Sequence, residues 1–148
     1  MNDHTPTEPV DVLLIEDNPG DVRLTQEAFR TTESEISFRV LGDGEAAATY
    51  FRALENGEPR PDLVLLDLNL PRKDGIGVLE VIEEELDYPP PPVLVLSSSD
   101  AEADIAESYA NAANAYLSKP DAMSEFSSMA EAIERFWIET AQHPPAPA

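Results

Sequence analysis

Five short apolar runs punctuate the chain: Val10–Ile15 (VDVLLI), Ile36–Leu41 (ISFRVL), Leu63–Leu66 (LVLL), Val93–Leu96 (VLVL) and Ala115–Leu117 (AYL). Three of them are near-continuously aliphatic, the pattern of parallel strands covered on both faces. Segments of helical period separate them. Between Gly44 and Asn56, residues Ala47, Tyr50, Phe51 and Leu54 form one stripe, and Ile76, Leu79, Ile82 and Leu86 trace another. The second of these helices should stop near Leu86, before the prolines at 89–92, because proline lacks an N–H and clashes in a helix interior. Further helices are expected over about Asp21–Thr31, Ala101–Ala110 and Ser124–Thr140. Right-handed crossovers alternate helices between the two faces of one sheet. The expected fold is therefore α/β: a doubly wound, five-stranded parallel sheet of order 2-1-3-4-5 in a three-layer sandwich.

The last helix places Phe126, Ala130, Ile133 and Trp137 on one face, read as core packing. Phe136 and Ile138 fall off that stripe and are the better candidates for contact with another chain. Residues 1–9 and 141–148 are polar or rich in proline and small residues, and are expected to be disordered, leaving 10–140 as the domain.

Composition narrows the function. The 148 residues suit one domain with its own core, and the absence of cysteine removes disulfides, thiolate metal sites and cysteine nucleophiles together. Nine Lys and Arg against 30 Asp and Glu give a net charge of −21, which repels phosphate backbones and argues against nucleic acid as a partner. No apolar run approaches the ~20 residues of a membrane span, so a cytoplasmic location without membrane contact is expected. A surplus spread over the whole chain also fits a halophilic-type surface, hydrated in high salt where self-repulsion is screened. Only two lysines, Lys73 and Lys119, are present, so each calls for a reason.

In such a sheet, functional groups gather beyond the carboxyl ends of the strands. Glu16, Asp17 and Asn18 follow the first strand, Asp67, Leu68 and Asn69 the third, Ser97, Ser98 and Ser99 the fourth, and Lys119 and Pro120 the fifth. Singly, each has a plain structural reading as a turn, a cap or a loop residue. Together, three converging carboxylates repel one another and either shift their pKa values or bind a cation. An all-oxygen cluster of this kind suits Mg²⁺. A hydroxyl and an ammonium on the other side of Asp67 would hold the oxygens of a phosphoryl group being transferred to a carboxylate.

The segments LLIEDNPGDVRL, LVLLDLNLPRKDGIGVL, VLVLSSSD and AYLSKP, in that order and spacing, resemble the receiver domain of two-component response regulators over roughly residues 10 to 140. The wording DNPGD, LNLPRKDG and SSSD is most similar to the stand-alone subgroup linked to phytochromes. The resemblance implies a flavodoxin-like fold and a phosphoacceptor at Asp67, charged from the phosphohistidine of a sensor histidine kinase or a phosphotransfer protein. It implies Mg²⁺ held by Asp17 directly, Glu16 through water, Asp67 and the Asn69 carbonyl. Ser97 would be the switch hydroxyl, Tyr116 the switch aromatic and Lys119 the phosphoryl-binding lysine, with the Lys119–Pro120 bond cis, an isomer for which X–Pro bonds have little penalty.

Two departures stand out. Similar sequences carry glycine before the fifth strand, whereas this chain reads Asn111-Ala112-Ala113-Asn114-Ala115-Tyr116, so Asn111 or Asn114 is expected to take the left-handed conformation that ends the fourth helix. No output domain is expected either, so the signal would leave by contact with a downstream protein near helix four, strand five and helix five, a surface that would also suit a homodimer. Three rival readings are a flavodoxin-like electron carrier, a Mg²⁺-dependent phosphohydrolase and a scaffold that has lost phosphorylation. The first needs a phosphate-binding loop where Glu16 and Asp17 stand, the second a substrate cap, and the third is at odds with the full acidic set beside Lys119.

Overall fold

A computed structural model describes residues 9–54, 59–86, 90–120 and 122–140. Its strands are β1 (Val10–Ile15), β2 (Ile36–Leu41), β3 (Leu63–Leu66), β4 (Val93–Ser97) and β5 (Ala115–Ser118). Five helices alternate with them: α1 (Pro19–Arg30), α2 (Gly44–Leu54), α3 (Gly75–Glu85), α4 (Glu102–Ala110) and α5 (Met123–Ile133). The strands form one parallel sheet in the order β2-β1-β3-β4-β5, as the pattern predicts.

Period-two alternation divides the aliphatic strands between two cores. Leu13, Ile15, Val64, Leu66, Val93 and Val95 face α2 and α3, where Ala47, Phe51, Leu54, Leu79 and Ile82 meet them. Val12, Leu14, Leu63, Leu65, Leu94 and Leu96 face α1 and α5, packing on Ala28, Phe29, Phe126, Ala130 and Ile133. The central strands are thus buried on both sides, and all their loops of consequence emerge at one edge.

Several local expectations are corrected. Helix α1 begins at Pro19 rather than near Asp21: the Asn18 side chain accepts from the Gly20 and Asp21 N–H groups, and proline suits the first helical position. After Ile133 the last helix continues as a π-helix (Glu134–Thr140), whose wider i→i+5 turn shifts the phase of the stripe. Ile138 consequently follows Trp137 onto the α1–α5 core instead of facing outward, while Phe136 remains 56% exposed. Buried Glu134 fastens this segment, its Oε2 accepting the Ser34 N–H at 2.7 Å.

Neither Asn111 nor Asn114 is left-handed; Arg72 is the one non-glycine residue with positive φ among those described. Asn114 instead pairs with the start of β4, its N–H donating to the Val93 carbonyl and its Oδ1 accepting the Val93 N–H, both at 2.8 Å. That pair replaces a left-handed turn as the entry to β5. The Lys119–Pro120 bond is trans, the isomer X–Pro intrinsically favours by about 0.5–1 kcal/mol. The expected disorder at 1–8 and 141–148, the end of α2 at Asn56 and the proline at 89 lie outside the described residues.

Candidate functional site

Each site residue is delivered by the end of a strand. Glu16 continues the β1 line, its N–H donating to the Leu41 carbonyl at 3.0 Å, and Asp67 continues β3, its N–H donating to the Ile15 carbonyl at 3.0 Å. Both carboxylates are buried, with 5% and 6% exposure, whereas Asp17 is exposed. Backbone contact fixes Asp67 from behind: a Cβ at position 75 would lie 2.6 Å from the Asp67 carbonyl oxygen, so only glycine lets α3 start there. The loop between β3 and α3 is held from the side by the Gly44 N–H, which donates to the Pro71 carbonyl at 3.2 Å.

One carboxylate oxygen from each of Glu16, Asp17 and Asp67 lies within 4.8 Å of the others. Such a set fits a hard divalent cation, which takes oxygen ligands and neutralises their repulsion. Asn69 is tied to the group by its N–H, 3.3 Å from Asp67 Oδ1. On the β5 side the Lys119 ammonium lies 2.8 Å from Glu16 Oε1, 2.8 Å from Asp21 Oδ2 and 3.4 Å from Asp67 Oδ2.

Burial is the largest influence on Glu16 and, with the neighbouring Asp67 charge, pushes its carboxyl up to about 7 against the opposing pull of Lys119 and the Asn18 N–H. Burial alone would lower the pKa of Lys119, but its hydrogen bonds to Asp21 and Glu16 and the charge of Asp67 outweigh that and hold the ammonium above its usual value. The Lys119 ammonium therefore stays charged beside the acidic cluster.

Ser97 is fully buried; its Oγ accepts the Ser99 N–H at 3.1 Å and its carbonyl accepts the Lys119 N–H at 2.8 Å. Tyr116 points to the α2–α3 core, and its hydroxyl donates to the Ser99 carbonyl at 2.8 Å. Ser99 in turn donates from Oγ to Asp104 Oδ2 at 2.6 Å. Glu16, Asp17, Asp67 and Lys119 thus converge, Asn69 joins through its N–H, and Ser97 borders them through its carbonyl on the Lys119 N–H, with its hydroxyl bonded to Ser99 and Tyr116 one hydrogen-bonding residue further on.

One participant escaped the sequence, Asp21. Asp21 was legible only as a residue of a helix start, although a helix beginning directly after Asn18 puts its first turn at the site.

The profile of the response regulator receiver domain matches residues 12–131. The chain belongs to the response regulator receiver domain family. This receiver domain is 41% identical over 142 residues to response regulator Rcp1 of Synechocystis sp., covering 93% of this chain and 95% of the relative. It is 36% identical over 132 residues to the probable methanogenesis regulatory protein FilR2 of Methanothrix harundinacea, covering 88% and 85%.

Among solved structures, the Mn²⁺-bound form of Rcp1 superposes with a TM-score of 0.81 at 40% identity, covering 93% of this chain and all of that one. The phosphorylated cyanobacterial phytochrome response regulator RcpA superposes with a TM-score of 0.84 at 38% identity over the same shares. The receiver fold and the likeness to phytochrome-linked regulators are both borne out, and the electron-carrier reading falls away. Among the described residues no helix is long and apolar enough to cross a membrane.

Proposed function

We propose that this receiver domain accepts a phosphoryl group onto Asp67 from the phosphohistidine of a sensor histidine kinase or phosphotransfer protein, in the presence of Mg²⁺. The observation that carries this reading is the shared position of Asp67, a buried carboxylate within 4.8 Å of two further acidic groups and 3.4 Å from the Lys119 ammonium. An Asp67 oxygen attacks phosphorus, the P–N bond to the donor imidazole breaks, and its electron pair stays on that nitrogen, so neutral imidazole leaves with its proton on the other ring nitrogen. Mg²⁺, held by Asp17, Asp67, the Asn69 carbonyl and, through water, Glu16, would neutralise the charge gathering on the transferred oxygens. Lys119 pairs with one of those oxygens and the Ser97 hydroxyl donates to another.

Hydrolysis of the acyl phosphate by water returns Asp67 and inorganic phosphate, so the domain catalyses only its own charging and discharging and is not an enzyme acting on outside substrates. The folded unit is residues 10–140, and its place is the cytoplasm. Output passes by protein contact at α4, β5 and α5, where a downstream protein or a second copy docks; nucleic acid and membrane are not partners, given the charge of −21.

Incubation with acetyl phosphate and Mg²⁺ followed by intact-mass measurement tests the assignment. The parent should gain about 80 Da, one phosphoryl group replacing a proton, and Asp67→Asn or omission of Mg²⁺ should abolish the gain. An adduct that survives in Asp67→Asn overturns it.

A further inference from the structure

Lys119 has three carboxylates around an ammonium with three donors, and its longest contact is the one to Asp67. Glu16 belongs to the acidic cluster, but Asp21 does not. Asp21 lies on α1, where its N–H donates to Asn18 Oδ1 at 3.1 Å and its carbonyl accepts the Thr25 hydroxyl at 2.8 Å. Helix α1 therefore fixes the backbone that carries the carboxylate, and the carboxylate fixes Lys119. The Asp21 side chain is 27% exposed and that of Lys119 14%, so the Asp21 end of the pair is the one within reach of solvent.

Resting on the phosphoacceptor reading above, we propose that Asp21 is a positioning residue that holds Lys119 back from Asp67 in the uncharged state and thereby sets the threshold for phosphorylation. A phosphoryl group on Asp67 needs a close donor from Lys119, whose contact to Asp67 is 3.4 Å while those to Glu16 and Asp21 are 2.8 Å, so closing on it means releasing one of the two shorter bonds. Glu16 is buried and cannot be left with an unpaired charge cheaply, whereas Asp21 reaches water. Asp21 is therefore the bond released. Its charge also repels a dianionic phosphodonor on approach.

Asp21→Asn keeps the shape of the helix start and removes both the anchor and the charge. Charging by acetyl phosphate, followed by intact mass at fixed Mg²⁺, should run about 3- to 10-fold faster than in the parent, a modest factor because a partly exposed pair is screened. Asp21→Glu, which restores the charge, should return the rate to within about twofold of the parent.

A spectroscopic readout separates positioning from a merely structural role. With two lysines in the chain, uniform ¹⁵N-lysine labelling leaves two ammonium signals, from Lys73 and Lys119. In the parent, Mg²⁺ with beryllofluoride should displace the Lys119 signal. In Asp21→Asn the signal should already be displaced before beryllofluoride is added, and the further change should shrink. A parent that gains no phosphoryl mass overturns the phosphoacceptor reading and this proposal with it. A parent that charges normally beside an Asp21→Asn variant of equal or lower rate, an Asp21→Glu variant that behaves like Asp21→Asn, or an unmoved Lys119 signal overturns this proposal alone.

Discussion

At the scale of single residues, Glu16 is the group whose environment makes a sharp statement. Its carboxyl titrates at about 7 in the fold against 4.5 in its ordinary state, burial being the main cause. The folded protein therefore binds the extra proton over that interval, and the contribution of Glu16 to stability is complete below about 4.5 and lost as pH rises through 7. Deprotonated Glu16 is also the form a cation requires. Metal-free protein should accordingly lose melting temperature between about pH 5 and pH 8, and the increment added by Mg²⁺ should grow over the same window. Glu16→Gln should flatten both trends, and equal Mg²⁺ increments at the two ends would contradict the assignment. Strand ends revealed most of these residues in the sequence, since each functional type follows an aliphatic run. Asp21 was hidden because a side chain on the next helix reaches the site only through the geometry of the Asn18 cap.

At the scale of elements, the segment from Ser97 to Asp104 links the end of β4 to the first turn of α4 and to Tyr116 on β5. Ser99 receives from its N–H to Ser97 the state of the buried hydroxyl, holds the Tyr116 hydroxyl at its carbonyl, and reaches Asp104 in the first turn of α4. Movement of Ser97 toward a phosphoryl group would break the first of these bonds and release the others together. Amide exchange over residues 97–117 should change when parent protein binds beryllofluoride with Mg²⁺ and stay unchanged in Ser97→Ala. An identical response in the two would remove Ser97 and Tyr116 from the switch. At the other end of the chain, Glu134→Ala would leave the buried Ser34 N–H without its partner, and urea unfolding should record a loss of about 1–3 kcal/mol. Alternation and the 3.6-residue stripe sufficed for the strands and for α2 and α3. They failed at Ile138, since a π-helix preserves no 3.6 period, and at Asn111–Asn114, where an asparagine side chain substitutes for a backbone turn.

For the molecule as a whole, the charge of −21 dominates. The acidic residues are distributed along the whole sequence, so their repulsion is not confined to one patch. Lowering salt extends that repulsion from a Debye length of ~8 Å at physiological ionic strength to ~30 Å at 0.01 M. Melting temperature should fall steadily over this change and recover with Mg²⁺ at the acidic cluster, whereas stability independent of salt would contradict a surface built for screening.

Reduction of the charged protein with borohydride identifies directly which atom receives the phosphoryl group. An acyl phosphate is reduced to an alcohol, so the acceptor aspartate is left as homoserine at its own position in the peptide map. We expect homoserine at residue 67 alone, dependent on both acetyl phosphate and Mg²⁺. Reduction at Glu16 or Asp17, or a phosphate that resists borohydride on Ser97, would contradict the central claim.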